Sequence, residues 1–382
     1  MRELVYLDFN ATTPLADQVV EAMEPYLREA YGNPSSLHWS GVPARDAIET
    51  ARSQVASLLC CDATEIVFTS GGSESNNQAL KGIYFTKRSA TPVPHFIFSQ
   101  IEHPTIREPC RFLQSLGAEL TCVPVDGQGL VDPAEVRRAI RKNTVLISIM
   151  HANNEVGTIQ PLEEIAAIAR ENEIPCHTDA AQSVGKIPVD LDALGVDLLT
   201  VASHKLYGPK GVGALYVREG LELEPLVHGA GQEAARRAGT ENILEIVGLG
   251  AACALAQQTL KQTETRELRD SFWQKLKSIF GEDVVLNGHP ELRLPNTLNV
   301  SFPDHIGGEI LARLPWLAAS TGSACHAGSV EISPVLAAMG VSQEIGLGTV
   351  RFSLGRTTTR SEIDQVLQGL IQIIGKSTEQ KM

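Results

Sequence analysis

The apolar run over residues 196–201 leads into Ser203-His204-Lys205-Leu206-Tyr207-Gly208-Pro209-Lys210-Gly211, where Gly-Pro-Lys-Gly breaks the chain. Such a run is typical of a buried strand, which places Lys205 at the mouth of that strand. Burying an ammonium group is unfavourable and usually lowers its pKa. A lysine held in this way is suited to forming a Schiff base with a carbonyl group. The alternative is an ordinary surface lysine at a strand end.

Length and composition limit the class of protein. The chain has 382 residues, of which 43% are hydrophobic and 20% charged, as expected for a globular protein of two domains. The formal net charge of −13 disfavours nucleic acid and anionic membranes as main partners. No apolar run reaches the roughly 20 residues of a membrane span, and the first residues lack the pattern of a signal peptide. The seven cysteines contain no Cys-x-x-Cys pair, which favours free thiols in the cytoplasm over disulfides or a metal site.

Strand-like and helical segments alternate from Ile66 onward. The predicted strands cover residues 66–69, 95–99, 120–125, 145–150, 175–178, 196–202 and 213–217. Helical patterns such as 133–141 and 161–172 lie between them. This alternation predicts an α/β fold with a mostly parallel sheet covered on both faces, in which the chemistry collects at the carboxyl ends of the strands.

A long helical stretch, about 242–280, leads away from these strands. A strand at 297–302, a helix near 309–314, a strand at 350–354 and a last helix from Ser361 follow. We therefore expect a large domain over residues 1–256 and a smaller α+β domain over residues 257–382. The first ~15 residues are expected to pack on the smaller domain.

Small residues follow the first of these strands, in Ser70-Gly71-Gly72-Ser73-Glu74-Ser75-Asn76-Asn77. Backbone N–H groups at the start of a helix can bind an anion there, and Ser73 adds a hydroxyl. A plain glycine-rich turn with a serine cap is the alternative. The pattern is neither a Walker loop nor a dinucleotide-binding loop.

Polar residues come just past several other predicted strands. They are His103, Asn154, Asp179 and Gln182, which join Lys205 on one rim of the sheet. Each alone has an ordinary explanation, such as a helix cap or a turn. Together with a phosphate cradle, they are what pyridoxal 5′-phosphate requires. In this interpretation Asp179 keeps the ring nitrogen protonated, His103 lies over the ring, and the two amides contact its phenolic oxygen.

Two further residues point to a substrate. Cys325 lies in a run of small residues, 320–329, which predicts an exposed, mobile loop with a reactive thiol beside His326. The alternative is an inert buried cysteine. Arg351 lies in an apolar strand and requires a carboxylate, which belongs either to a substrate or to a structural Asp or Glu.

With these residues in place, the chain resembles the cysteine desulfurases, homodimeric pyridoxal-phosphate enzymes of the class V aminotransferase group with fold type I. The similarity covers nearly the whole chain. It is carried, in chain order, by LDFNATTP (7–14), GNPSS (32–36), FTSGGSES (68–75), IEH (101–103), NNEVG (153–157), DAAQSVGK (179–186), SHKLYGPKG (203–211), GTEN (239–242), TGSAC (321–325) and RFSLGR (351–356).

The resemblance implies a role for each matching residue. Lys205 would hold the cofactor as an imine, Asp179 would pair with its ring nitrogen, His103 would stack on the ring, and Asn154 and Gln182 would contact it. The implied phosphate ligands are Gly72, Ser73, Ser203 and His204, with Thr240 of the partner subunit. Asn33 and Arg351 would hold the substrate carboxylate, and Cys325 would be the nucleophile that takes the sulfur.

The sequence departs from the family pattern in three places. Ala202 stands where many members have a Ser or Thr, so one phosphate contact is lost unless Ser203 supplies it. Ala234 and Ala235 stand where an Arg-Gly pair is usual. His326 after the cysteine is shared with selenocysteine lyases, whereas the distance from the cysteine to the next helix matches the long-loop desulfurases.

The expected reaction converts L-cysteine to L-alanine and leaves a persulfide on Cys325 for an acceptor protein such as an iron–sulfur scaffold. Lys205 would remove the Cα proton, and His103 would carry protons to and from the substrate. No metal is expected. The alternatives are a selenocysteine lyase, another class V carbon–sulfur lyase or aminotransferase in which Cys325 is a bystander, and an inactive scaffold for sulfur-assembly partners.

Overall fold

The structure, a computed structural model, describes residues 3–321, 323–326 and 329–379, and the side chains of residues 3–321 and 331–375. The strands are β1 (Val5–Tyr6), β2 (Ile66–Thr69), β3 (His95–Ser99), β4 (Glu119–Val123), β5 (Thr144–Ser148), β6 (Cys176–Asp179), β7 (Leu198–Ala202), β8 (Gly213–Val217), β9 (Val285–Asn287), β10 (Thr297–Ser301), β11 (Leu317–Ala318), β12 (Ser320–Thr321), β13 (Ser323–His326), β14 (Ser329–Ile332) and β15 (Thr349–Ser353). The helices are α1 (Asp17–Met23), α2 (Pro25–Arg28), α3 (Gly41–Leu59), α4 (Gly72–Lys87), α5 (Pro104–Ser115), α6 (Pro133–Ala139), α7 (Leu162–Glu171), α8 (Leu191–Leu194), α9 (Ile243–Thr259), α10 (Glu264–Phe280), α11 (Gly307–Ala312), α12 (Pro334–Ala338), α13 (Gln343–Leu347) and α14 (Arg360–Glu379).

The large sheet has the strand order β2-β8-β7-β6-β5-β3-β4. Its strands are parallel except β8, which runs antiparallel to both β2 and β7. Apolar clusters lie on both faces of the sheet, one including residues of α3, α7 and α9 and the other residues of α4 and α5. The predicted α/β fold is therefore confirmed, and the carboxyl ends of the parallel strands meet at one edge.

The predicted bounds of β2, β3 and β8 agree with the observed ones, and those of the other four strands differ by at most two residues at either end. The prediction placed Asp179 just past its strand, whereas it is the last residue of β6. Asp179 still lines the cavity at the expected edge of the sheet, because the last residue of a strand borders the loops that follow it.

The helical stretch predicted over 242–280 is broken into α9 and α10. Leu249 and Ala252 of α9 are buried in the apolar core beside the large sheet, whereas Phe272 and Leu276 of α10 are buried in a second core. The chain has to turn between them because the two helices pack on different cores. Among the described residues no single helix is long and apolar enough to cross a bilayer. Helices α9 and α10 reach that length and composition only when taken together, and they are bent by 70° relative to each other.

The smaller sheet is antiparallel, with the order β12-β15-β10-β9. Phe272, Phe302 and Phe352 lie in its core. The N-terminal segment joins this unit, since β1 pairs in parallel with β11 and Leu7 is buried in the same core. The boundary near residue 256 stays a prediction.

The described residues around Cys325 form paired strands, where the small residues of the sequence predict a loop. β13 pairs antiparallel with β14, and Cys325 lies opposite Val330. Strand preference depends strongly on context, so backbone pairing overrides the preference of these small residues for a loop. The Cys325 side chain lies outside the described residues, and the exposure of its thiol stays a prediction.

Candidate active site

A cavity of about 420 Å³ opens at the edge of the large sheet where the parallel strands end. Residues next to the large sheet and Arg351 of the smaller sheet line it, and most of the residues expected at the site are among them. These are Gly72, Ser73, His103, Asn154, Asp179, Gln182, His204, Lys205 and Arg351. Residues between positions 72 and 205 meet here because several crossovers end on the same edge of the large sheet, whereas Arg351 reaches the cavity from β15 of the smaller sheet.

Lys205 lies in a short 3₁₀ turn, Ser203–Lys205, directly after β7. Its Nζ donates to the backbone oxygens of Asn10, at 2.6 Å, and Ala11, at 2.8 Å. Burial and the nearby charge of Arg351 lower the pKa of Lys205 to about 8, against the opposing effect of the Asp179 and Asp8 carboxylates. An amine with such a pKa is partly neutral near pH 7 and can act as a nucleophile or a base.

Asp179 is 8% exposed and hydrogen-bonded on both carboxylate oxygens. Oδ2 accepts from Asn76 Nδ2 at 2.8 Å, and Oδ1 accepts from the backbone N–H of Ala181 at 3.0 Å. These contacts fix the plane of the carboxylate. A fixed carboxylate in a cavity is suited to pair with a cationic ring nitrogen.

His103 caps the N-terminus of α5 at the rim of the cavity. Its Nδ1 lies 2.8 Å from Thr105 Oγ1 and 3.3 Å from the backbone nitrogen of Thr105. Burial lowers the pKa of His103, as do the charges of Lys205 and Arg107, against the opposing charge of Asp179. The ring is therefore neutral near pH 7.

The anion end of the cavity lies at the start of α4. Gly71 has a φ of +142°, which L side chains rarely adopt, and it turns the chain from β2 into the helix. Gly72 and Ser73 then line the cavity at the helix N-terminus. His204 completes this end, with Nδ1 at 3.1 Å from Thr12 Oγ1, and burial lowers the pKa of His204 to about 4.

Ser203, expected to replace the missing hydroxyl of Ala202, points elsewhere. It is fully buried, and a Cβ on Gly208 would lie only 2.1 Å from its Oγ. The side chain thus packs under the following turn, because Ala202 and Ser203 leave the strand in opposite directions. Its Oγ has no hydrogen-bond partner within the described part of the chain.

Arg351 binds a structural carboxylate. One Nη2 contact reaches Asp8 Oδ1 at 2.7 Å and another reaches Ser320 Oγ at 2.9 Å, while Nη1 donates to the backbone oxygen of Asn154 at 2.9 Å. Arg351 Nε is buried without a partner among the described residues. Arg351 therefore has a structural carboxylate partner in Asp8, and its Nε–H is still available for a substrate carboxylate.

Besides Ser203, two predicted residues lie outside this cavity. Asn33 is exposed, and its Oδ1 accepts from the backbone N–H of Ser35 at 2.9 Å. Thr240 lines a different depression, together with Glu233 and Arg237. Its expected role needs a second subunit, so both assignments stay predictions.

Sequence reasoning missed three residues that organise the cavity. The Asn10 backbone oxygen accepts from Lys205 and Gln182, and its Oδ1 accepts from Lys186 Nζ at 3.0 Å. Lys186 also donates to Gln182 Oε1 at 2.7 Å, and Asn76 binds Asp179. Asn10 and Lys186 lie inside motifs that carry the family resemblance, and Asn76 directly follows the motif over residues 68–75.

Comparison with known proteins agrees with this geometry. Residues 5–366 match the model of the aminotransferase class-V family, and the chain belongs to this family. Cysteine desulfurase IscS of Dictyoglomus turgidum is 50% identical over 380 residues, covering 98% of this chain and 96% of that protein. Cysteine desulfurase IscS of Methanosarcina thermophila is 48% identical over 377 residues, covering 97% and 92%. Within the family the chain therefore groups with the cysteine desulfurases.

Solved structures give the same grouping. A NifS-like protein superimposes with a TM-score of 0.91 at 38% identity, covering 97% of this chain and 99% of that one. SspA in complex with cysteine superimposes with a TM-score of 0.80 at 40% identity, covering 92% and 98%. The predicted family and fold are thus confirmed.

Proposed function

We propose that the chain is a cysteine desulfurase that uses pyridoxal 5′-phosphate to remove sulfur from L-cysteine. The observation that carries the proposal is the convergence of Lys205, Asp179 and His103 on one cavity of about 420 Å³. An amine of low pKa, a fixed carboxylate and a neutral imidazole are the groups that this chemistry needs. Membership in the family supports the same reaction.

The residues of the cavity fit the cofactor. The start of α4 offers backbone N–H groups and the Ser73 hydroxyl to a phosphate, in a position where a side chain on Gly72 would approach Ala202. Lys205 suits the aldehyde, and Asp179 suits the ring nitrogen. When bound, the group would supply an electron sink for bond cleavage in the substrate.

The substrate carboxylate is assigned to Arg351. Its Nε is a buried donor without a partner among the residues that the structure describes, and such a donor is unfavourable until it is paired. A carboxylate entering the cavity would accept from this guanidinium and share it with Asp8. Asn33 would assist from the other subunit or after a local rearrangement, since it is exposed here.

Lys205 is the base that takes the Cα proton. Its pKa of about 8 leaves part of the amine neutral at pH 7, and its two backbone acceptors orient it. His103 is the second group that contacts the reacting atoms. A positioned base such as Lys205 contributes about 10²–10⁴-fold to the rate.

Cys325 takes the sulfur. Its thiolate attacks the substrate sulfur, the Cβ–S bond breaks, and the electron pair stays on carbon, which takes a proton and becomes the methyl group of alanine. Cys325 is left as a persulfide, and its outer sulfur passes to an acceptor protein such as an iron–sulfur scaffold.

The test measures alanine and protein-bound persulfide formed from L-cysteine and from L-selenocysteine. The parent should form both from cysteine. Cys325→Ala should form neither while keeping the cofactor absorption band, and Cys60→Ala, at an exposed free cysteine, is the matched control. Alanine from Cys325→Ala at the parental rate would remove the sulfur-transfer role. Turnover of selenocysteine alone would indicate a selenocysteine lyase, and failure to bind the cofactor would indicate a scaffold.

We also propose that the chain forms a homodimer in the cytoplasm. Leu27, Tyr31, Leu37 and Trp39 are 64% to 83% exposed and close in sequence, which is typical of a surface covered by a partner. Thr240 of the partner subunit would then reach the phosphate end. The free thiols of the described chain suit a reducing compartment. Trp39→Glu should weaken dimerisation, as sedimentation velocity would measure.

A further inference from the structure

Four side chains form a continuous hydrogen-bonded path along the wall of the cavity. Asn76 Nδ2 donates to Asp179 Oδ2 at 2.8 Å and to Thr105 Oγ1 at 2.8 Å. Thr105 Oγ1 lies 2.8 Å from Nδ1 of His103. Asn76 is fully buried, so bulk water does not compete for its amide. The path therefore joins the carboxylate at one end of the cavity to the imidazole at the rim.

The direction of each hydrogen bond follows from the ends of the path. A carboxylate oxygen accepts, so the nitrogen of Asn76, and not its oxygen, faces Asp179. The amide group uses its two protons on Asp179 and Thr105. Since the Thr105 oxygen accepts from Asn76, its own proton is directed to Nδ1 of His103.

His103 Nδ1 also faces a second donor. The backbone N–H of Thr105 points at the same nitrogen, because His103 is the N-terminal cap of the twelve-residue helix α5. A ring nitrogen that meets two donors offers them its lone pair. In the neutral ring the proton then resides on Nε2. The charged groups facing the ring are Asp179, Lys205 and Arg107.

We propose that Thr105, held by Asn76, is a positioning residue that fixes His103 as the Nε2–H tautomer and directs this N–H into the cavity. The imidazole then presents a hydrogen-bond donor to the substrate and is not a base at Nε2. Under the proposed function, on which this role rests, Nε2–H orients a lone pair of the bound amino acid, and removal of the Cα proton falls to Lys205. Protonation of the ring would require breaking its hydrogen bonds with Thr105.

The first arm of the test reads the tautomer directly, without turnover. ¹⁵N-histidine is incorporated into the apoprotein, and the two ring nitrogens of His103 are identified by their loss in His103→Gln. In the parent, Nδ1 should resonate as an unprotonated acceptor and Nε2 as an N–H. Thr105→Ser should keep this pattern. Thr105→Val, which has the same shape without the hydroxyl, should move Nδ1 toward the protonated end of its range.

The matched control is Thr50→Ala, because the Thr50 hydroxyl is exposed on α3 and bonds within its own helix, to the Asp46 oxygen at 2.8 Å. In the second arm, Thr105→Val should lower kcat for alanine formation from cysteine by about tenfold, the worth of one well-placed hydrogen bond. Thr105→Ser and Thr50→Ala should retain the parental kcat.

A protonated Nδ1 in the parent would overturn the inference. So would a Thr105→Val protein with the parental tautomer and the parental rate. Should Thr105→Val fail to fold, a changed tautomer or a lowered kcat in Thr105→Ser would equally count against the inference, since the serine hydroxyl preserves the path. A parent with the Nε2–H tautomer that forms no alanine from cysteine would refute the proposed function and leave the tautomer assignment standing.

Discussion

The amine of Lys205 should react with aldehydes at much lower pH than an exposed lysine does. Burial, assisted by the charge of Arg351, lowers its pKa to about 8. Near pH 7.5, about a quarter of this amine is then neutral, compared with about 0.1% for a lysine with the ordinary pKa of about 10.5. Because the neutral form is the nucleophile, imine formation at this pH should be about 200-fold faster than at an exposed lysine.

The assay mixes apoprotein with pyridoxal 5′-phosphate over a range of pH and follows the absorbance of the imine by stopped flow. Lys205→Ala gives the background from other amines. The rate of the parent should rise with pH around a midpoint near 8. Arg351→Gln should move the midpoint upward, because it removes a neighbouring positive charge and leaves the Asp8 carboxylate unpaired.

The same substitution at the exposed Arg313 is the control and should leave the midpoint unchanged. A parental midpoint near 10 would contradict the role given to burial. A midpoint that does not respond to Arg351→Gln would contradict the electrostatic coupling across the two domains. A midpoint near 10 would also remove Lys205 as the base at neutral pH.

Three further outcomes are expected. Ala235→Gly should raise the free energy of unfolding by about 1 kcal/mol, because Ala235 has a φ of +64° that glycine adopts without strain. Urea titrations measure this gain, and an unchanged free energy of unfolding would show that the turn is unstrained. Burial raises the pKa of Glu102 to about 8, so the folded state keeps a proton that the unfolded chain releases above its ordinary pKa of 4.5. Stability of the parent should therefore fall between about pH 5 and pH 8 by up to about 1.4 kcal/mol per pH unit, and Glu102→Gln should lack this component. Ser333→Ala removes the hydroxyl that donates to the buried carboxylate of Glu155 directly after β14, the strand that pairs with the strand of Cys325. Persulfide formation on Cys325 should then slow while the cofactor spectrum stays unchanged. An unaltered rate would show that this hydrogen bond does not position the two strands.

Much of the fold and part of the site follow from local sequence patterns. Apolar runs and the helices between them predict the large sheet, and small or polar residues past each run predict where His103, Asp179 and Lys205 lie. These predictions succeed because side-chain periodicity and turn chemistry depend on near neighbours in the chain. The break between α9 and α10 was missed because it depends on two separate cores and on no helix-breaking residue.

Contacts between distant segments were not predictable in the same way. The sequence by itself determined which residue types gather at the edge of the sheet, since each follows its own strand. Only the tertiary structure decided that Arg351 pairs with Asp8, that Ser203 turns away from the cavity, and that Asn76 links Asp179 to Thr105. The physical reason is that hydrogen bonds need an alignment of a few tenths of an ångström. The packing of distant segments sets this alignment, and local patterns do not encode it.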